Sequence, residues 1–309
     1  MDVFFRPTTC FDLLSQSPLK HALDFLAWCM MSNHVHLLIE TGKAPLSKTV
    51  AQQGEHMANE RTIAVYDSLS REYHRAFQVF LDHTDQKLKA QKWLTDLIGR
   101  LPSRHVFIDA GAGNGKVTTW FTERFGRTIA IEPNASLRSE LKQACPTAEV
   151  IAEKILDAKI GAAADLILCS HVFYYIDAAE WLPNLKRLAS WLSSGGVLVL
   201  VVQNHDTDCM RMLEHFFGRR FLLSSLARQF EEECGGAYQV RVETVSAHVE
   251  TRDFPSAYAI AEFMLNLLPI PDPPARHALE DYVRARFERP DGSFRFSCDQ
   301  DFVQIWRRG

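Results

Sequence analysis

Asp109, Gly111, Gly113 and Gly115 fall at alternate positions in the run Val106-Phe107-Ile108-Asp109-Ala110-Gly111-Ala112-Gly113-Asn114-Gly115-Lys116, and Glu132 follows 23 positions after Asp109. Residues of these types at this spacing suit a nucleoside-containing ligand. Glycines let a turn adopt backbone angles closed to other residues and let main-chain amides approach a ligand closely. A carboxylate at the tip of the next strand, roughly 20 residues on, suits a ribose diol. The acidic lead residue is poor company for a phosphate and better suited to a cationic, hydroxyl-rich ligand. A phosphate loop of the Gly-Lys-Ser/Thr kind is not met, since Lys116 precedes Val117.

Holding those groups at one edge takes alternating strands and helices. Apolar runs predict strands at Val106-Asp109, Thr128-Glu132, Ala148-Ala152, Ala164-Ser170 and Val197-Val202, with helices over 114–125, 135–144 and 178–192 between them. That order implies a parallel sheet with right-handed crossovers. Upstream, Ala58 to Gly99 reads as helical. Downstream come a helical stretch (206–233), an alternating strand Tyr238-Val249, a helix-rich insert with prolines at 270–274, and a last strand Phe302-Trp306.

The Asp-x-Gly-x-Gly-x-Gly spacing resembles motif I of the class I S-adenosylmethionine (SAM) methyltransferases, and Glu132 matches that family's ribose-binding acid. The resemblance implies an α/β, Rossmann-like seven-stranded sheet with a helical N-terminal cap and a C-terminal helical insert, and S-adenosyl-L-methionine as the cofactor. Ligands of open α/β sheets lie beyond the strand carboxyl ends. The third strand tip there offers Glu153 as an acceptor for the adenine amino group. The fourth offers Ser170 for the adenosyl or methionine part, with Tyr174 and Tyr175 as walls for the sulfonium, which a ring face attracts by roughly 0.5–2 kcal/mol.

Tyr73-x-x-x-Phe77-x-x-Phe80-Leu81-Asp82-His83, Ile131-Glu132-Pro133, the Val172-Phe173-Tyr174-Tyr175-Ile176 run and a closing strand near Phe302 resemble the histamine N-methyltransferase branch. That resemblance spans about 57–309. It implies a small-molecule acceptor held by Tyr73 and Phe77 and by positions equivalent to Gln86 and Met210. There are departures: Gln86 stands near where that branch carries an amine-binding carboxylate, and Asp206-Thr207-Asp208-Cys209-Met210 lacks its indoles. The implied organisation is an extension over 1–56, a helical cap over 57–103 and a cofactor domain over 104–309, with a substrate-side insert at about 252–295.

An alkyl amine of pKa about 10.4 withholds its lone pair at pH 7 by roughly 4.6 kcal/mol, whereas an imidazole near 6.5 needs almost no help. His171 is the expected base, and His205, Asp206 and Asp208 are alternatives. Asp206 equally suits the N-cap of the next helix. The expected reaction is methyl transfer to a nitrogen of a small molecule. The alternative is closure of a small amino-acid ring on SAM itself, which would release methylthioadenosine.

A third reading rests on Ala27 to Glu40, where His34 and His36 alternate on one strand face as in the His-hydrophobe-His transposases. That resemblance covers only about 25–50, so a vestigial fused fragment is expected there, with Met57 as a plausible native start, and no metal site. Composition agrees with a soluble cytoplasmic enzyme: 309 residues, 47% hydrophobic and 23% charged, with net charge −4. That charge argues against nucleic acid as partner, and no apolar run spans a bilayer. The seven cysteines (Cys10, Cys29, Cys145, Cys169, Cys209, Cys234, Cys298) include no Cys-x-x-Cys pair, as for reduced thiols. Oligomeric state is not legible.

Overall fold

The computed structural model describes residues 23–30, 35–41, 62–67, 70–218, 223–267 and 270–309. Backbone contacts divide the chain into one unit of Met1–Thr62 with Ala275–His277 and another of Ile63–Pro274 with Ala278–Gly309. In the first, β1 (Leu23–Met30) and β2 (Val35–Thr41) pair antiparallel, with His36 opposite Cys29. His34 and Met57 lie outside the described residues.

The second unit is built on a seven-stranded sheet. Two helices lead in, α1 (Arg71–His83) and α2 (Gln86–Gly99). There follow β3 (Val106–Ala110), β4 (Arg127–Ile131), α3 (Ala135–Ala144), β5 (Glu149–Ile151), β6 (Ala164–Ser170), α4 (Trp181–Ser190) and β7 (Leu192–Gln203). The chain continues through α5 (Asp208–Phe217), α6 (Leu223–Cys234), β8 (Tyr238–Val245), β9 (His248–Thr251), α7 (Phe254–Leu265) and α8 (Arg276–Phe287). It ends with β10 (Phe294–Ser297) and β11 (Gln300–Arg307). The strand order is β5-β4-β3-β6-β7-β11-β8, with β11 antiparallel to both its neighbours and the other six strands running in one direction. This is the Rossmann-like α/β sheet expected. The order reverses between β3 and β6, where such sheets open a crevice at their carboxyl edge.

β6 and β7 are near-continuous apolar runs because both sheet faces are covered. Ile108, Ile167, Leu198, Leu200 and Val202 face the core shared with α4 and α7. Phe107, Leu166, Leu168, Val197, Val199, Val201 and Phe302 face the core formed with Leu94, Leu97 and Ile98 of α2. Side chains alternate along a strand, so Asp109 and Gln300, each two positions from a phenylalanine of that second core, fall on the α2 side.

From β3 onward three elements differ from expectation, and before it the helix expected from Ala58 is not formed at 63–67. The stretch 114–125 forms two short 3-10 turns, Thr118–Trp120 and Thr122–Arg124, where an α-helix was predicted. Two adjacent threonines there bond elsewhere, Thr118 to Asp109 and Thr119 to the Lys116 carbonyl, which competes with helical pairing. The strand predicted as continuous over Tyr238-Val249 breaks after Val245, and β9 pairs instead with β10. The break is fixed by carboxylates that accept consecutive amides, Asp299 from Ala247 (2.8 Å) and Asp85 from His248 (2.8 Å). Helix 178–192 is shorter than expected, a 3-10 turn at Ala178–Glu180 and then α4, because the chain re-enters the sheet at Leu192 and runs straight through Gly195-Gly196.

Candidate active site

Asp109, next to last in β3, is almost fully buried and accepts a hydrogen bond from the Thr118 hydroxyl at 2.7 Å. Burial is the main cause that pushes its carboxyl up to about 6, and nearby Glu132 adds to this. The Thr118 bond and the Lys87 charge act the other way. Gly111 (φ 87°) and Gly113 (φ 57°) turn the chain through left-handed backbone. They do so for different reasons. A Cβ on Gly111 would lie 2.2 Å from Cγ2 of Val172, so this glycine lets the turn pack on the loop after β6. A Cβ on Gly113 would meet nothing within 4 Å. The space over Gly113 is open.

Glu132, just past β4, is buried and braces the turn from the side. Its Oε2 accepts the Gly113 amide and its Oε1 the Asn134 amide, both at 2.8 Å. A carboxylate has about four acceptor positions, so two remain for hydroxyl donors. Glu153, past the end of β5, is exposed and lines a 450 Å³ groove with Glu149, Ile151, Asp157 and Lys159.

The turn after β6 gathers the other expected residues. Ser170 ends the strand half-buried. His171 has φ 58°, the one positive value on a non-glycine among the described residues. Its ring stacks on Tyr174 at 5.9 Å and its Nε2 lies 2.7 Å from the Gln300 amide nitrogen. Desolvation first, and the Lys87 charge second, push its pKa down to about 3, so the imidazole is neutral at physiological pH. Tyr174 is buried, and its hydroxyl accepts the Gln203 amide at 2.5 Å, tying the turn to the tip of β7.

Tyr175 is exposed, and its hydroxyl meets that of Tyr73 at 2.8 Å. Tyr73 in turn packs on Phe263 at 5.3 Å, and Phe77 and Phe80 lie 5.5 and 5.8 Å from the same ring. One tyrosine thus joins an aromatic wall on α1 and α7 to the turn after β6. Gln86 and Met210 are placed differently from these rings. Gln86 is buried and donates to the Cys298 carbonyl at 2.5 Å, while Met210 is buried in α5. The cap of α5 is Thr207, whose hydroxyl accepts the Met210 amide, so Asp206 does not serve as the N-cap. Asp206 lies 3.3 Å from Nε2 of His205, and Asp208 binds the amide and hydroxyl of Ser297.

Three polar residues around this edge carry no mark in the sequence. Lys87, in the first turn of α2, is half-buried and lies in the electrostatic reach of both Asp109 and His171. Gln300 and Gln203 are buried and directly opposite on β11 and β7, and Gln300 Oε1 has no hydrogen-bond partner among the described residues. A lysine in a polar helix and a glutamine in a strand look like surface residues. Only the register of β11 and the face of α2 bring them to the edge.

The donor set fits a cationic nucleoside: two carboxylates on adjacent strand tips, open space over Gly113, a neutral imidazole and a ring-lined wall. The comparisons agree. The methyltransferase domain family matches residues 81–244, more than half of the 309. An uncharacterized methyltransferase of Mycobacterium tuberculosis is 32% identical over 118 residues, 36% of this chain and 46% of that protein. One of Alkaliphilus oremlandii is 26% identical over 93 residues, 30% of this chain and 43% of that protein. The chain thus spans under half the length of the curated relatives it matches. A methyltransferase candidate from Bacillus halodurans C-125 shares the fold, with a TM-score of 0.52 at 11% identity, over 71% of this chain and 99% of that one. With its glycine turn, its Glu132 brace and the seven-stranded order all inside or beside the matched span, the chain belongs to the methyltransferase domain family, whose cofactor is S-adenosylmethionine.

Proposed function

We propose that the chain transfers the methyl group of SAM to a nitrogen of a small molecule, one of imidazole or amine type that reaches the site unprotonated. The observation that carries this reading is the Tyr73–Tyr175 hydroxyl pair, which joins the turn at the cofactor edge to α1, where Phe77 is half-buried over the packed rings of Phe80 and Phe263. Rings favour a flat, neutral acceptor and attract a sulfonium. The resemblance to the histamine N-methyltransferase branch supports the same class.

The bound cofactor supplies an electrophilic methyl carbon and a neutral thioether leaving group. The chain supplies position. Glu132 holds the ribose hydroxyls, Asp109 sets a negative charge beside a cationic ligand, and Glu153 and Ser170 are the remaining contacts assigned to the adenosyl half. Tyr174 fixes the turn, while Tyr73, Phe77 and Tyr175 orient the acceptor. His171 stays neutral and holds Gln300. With no proton taken by His171, an acceptor near pKa 6.5 is favoured over an alkyl amine near 10.4, which would need about 4.6 kcal/mol to shed its proton at pH 7.

Mass spectrometry of products tests the reading. SAM with a panel of imidazoles and amines should yield S-adenosylhomocysteine and one methylated nitrogen compound. SAM alone yielding methylthioadenosine without S-adenosylhomocysteine would instead establish ring closure on the cofactor. Tyr73→Phe and Tyr175→Phe should each lower kcat/KM for the acceptor by about tenfold, the value of one hydrogen bond that orients it, and leave SAM affinity unchanged.

A further inference from the structure

β8 leaves one edge of the seven-stranded sheet open. The strand order ends on it, and it runs for 8 residues without a register break, whereas β5 at the far edge has only 3. Edge strands are ordinarily blunted by shortness, proline, a bulge or charge, because unpaired amides and carbonyls template another strand. β8 has no proline and no bulge, and its only charges are Arg241 and Glu243, of opposite sign. Neither has an ion-pair partner among the described residues. Arg241 to Thr244 are all exposed, so both faces of the strand are open there, and Val242 is 48% exposed.

The Arg308 amide donates to the Ala237 carbonyl at 2.9 Å, one step beyond the Arg307–Tyr238 pair that ends the β11–β8 register. Opposite residues of an antiparallel ladder alternate between pairs that exchange main-chain bonds and pairs that do not. Gln239, Arg241, Glu243 and Val245 therefore bond to β11, and Val240, Val242 and Thr244 turn their amides and carbonyls to the open edge. A second copy of the strand, laid antiparallel about a two-fold axis at Val242, matches that edge. Val242 meets its own counterpart and Val240 meets Thr244, so outward groups bond outward groups. Arg241 then stands opposite Glu243 of the second copy, and Glu243 opposite its Arg241, in the non-bonded pairs where side chains come closest. A slip of one residue sets outward groups against inward ones. A slip of two keeps the main-chain pairing but sets Arg241 against Arg241 or Glu243 against Glu243. We infer that the chain forms a two-fold symmetric dimer by pairing β8 with β8 of a second copy, in the register fixed by Arg241 and Glu243. The contact uses the one long open edge of this sheet, so closed symmetry stops assembly at two.

Sedimentation of the full chain tests this. Wild type should form a dimer with a Kd of about 10 µM or tighter. Arg241→Glu and Glu243→Arg each set like charges opposite in both pairs, and each should weaken the dimer by about tenfold or more. The double variant, Arg241→Glu with Glu243→Arg, restores opposite charges in reversed order and should return to within about threefold of wild type. Val242→Pro removes an outward amide without touching the β11 ladder and should give a monomer. A wild type that stays monomeric at about 100 µM would overturn the inference and leave the edge to a strand from another protein. A dimer unmoved by these variants would overturn it by placing the contact on another surface. A double variant as weak as the single ones would overturn the register.

Discussion

Asp109 pays for its position with its charge. Its folded-state pKa of about 6 lies above the ordinary value of 3.8, so its ionisation destabilises the unliganded fold. The protonated carboxyl's contribution to stability is fully present below pH 3.8 and is lost as pH rises through about 6. A bound cation reverses the balance by favouring the carboxylate. SAM affinity should therefore be flat above pH 7 and weaken by about tenfold per unit below pH 6, measured by calorimetry across that range. A flat profile down to pH 5 would remove Asp109 from the cofactor's environment. The two glycines of the turn separate along the same line. Gly111→Ala drives a Cβ into Val172 and should cost about 2 kcal/mol or more in a denaturation experiment. Gly113→Ala meets open space and costs about 1 kcal/mol for its backbone angle, yet should reduce SAM affinity much more than stability.

At the level of elements, a strap and a helix share one carboxylate. Glu262 of α7 accepts the Ala64 amide at 2.9 Å, the Tyr66 hydroxyl at 2.5 Å and the Tyr258 hydroxyl at 2.9 Å. Asn266, the C-cap of α7, accepts the Tyr66 amide at 2.8 Å and donates to the Ala64 carbonyl. The same helix carries Phe263 of the aromatic wall. Glu262→Gln turns one acceptor into a donor that faces donors, at a cost of about 1–3 kcal/mol. Hydrogen exchange at Ala64 and Tyr66 should speed up in that variant before the sheet opens. These contacts were not legible beforehand, since 63–67 reads as part of a helical stretch and its partners lie nearly 200 positions away. The β3 to β7 region was legible because each strand is a short apolar run ended by glycine or polar residues. The 3-10 turns at 118–124 were not, because the periodicity of Val117, Trp120, Phe121 and Phe125 suits an α-helix equally well.

Across the whole second unit, the cofactor edge could be read from one loop and one carboxylate, whereas its polar far side depends on long-range register. Gln300 meets His171 only because β11 enters between β7 and β8 with Gln300 opposite both Gln203 and Val245. Gln300→Leu should leave SAM affinity within about threefold but destabilise the turn after β6 by about 1–3 kcal/mol through the stranded imidazole, as urea denaturation would register. The same insertion governs the time course of folding. β8 has no sheet neighbour until a strand beginning 55 positions after Val245 is in place, so the antiparallel half of the sheet closes in one late step. Contacts of such long loops are slow to form. Refolding from denaturant should therefore show the parallel strands gaining protection first, with protection of β8 arriving together with β11 and not before it.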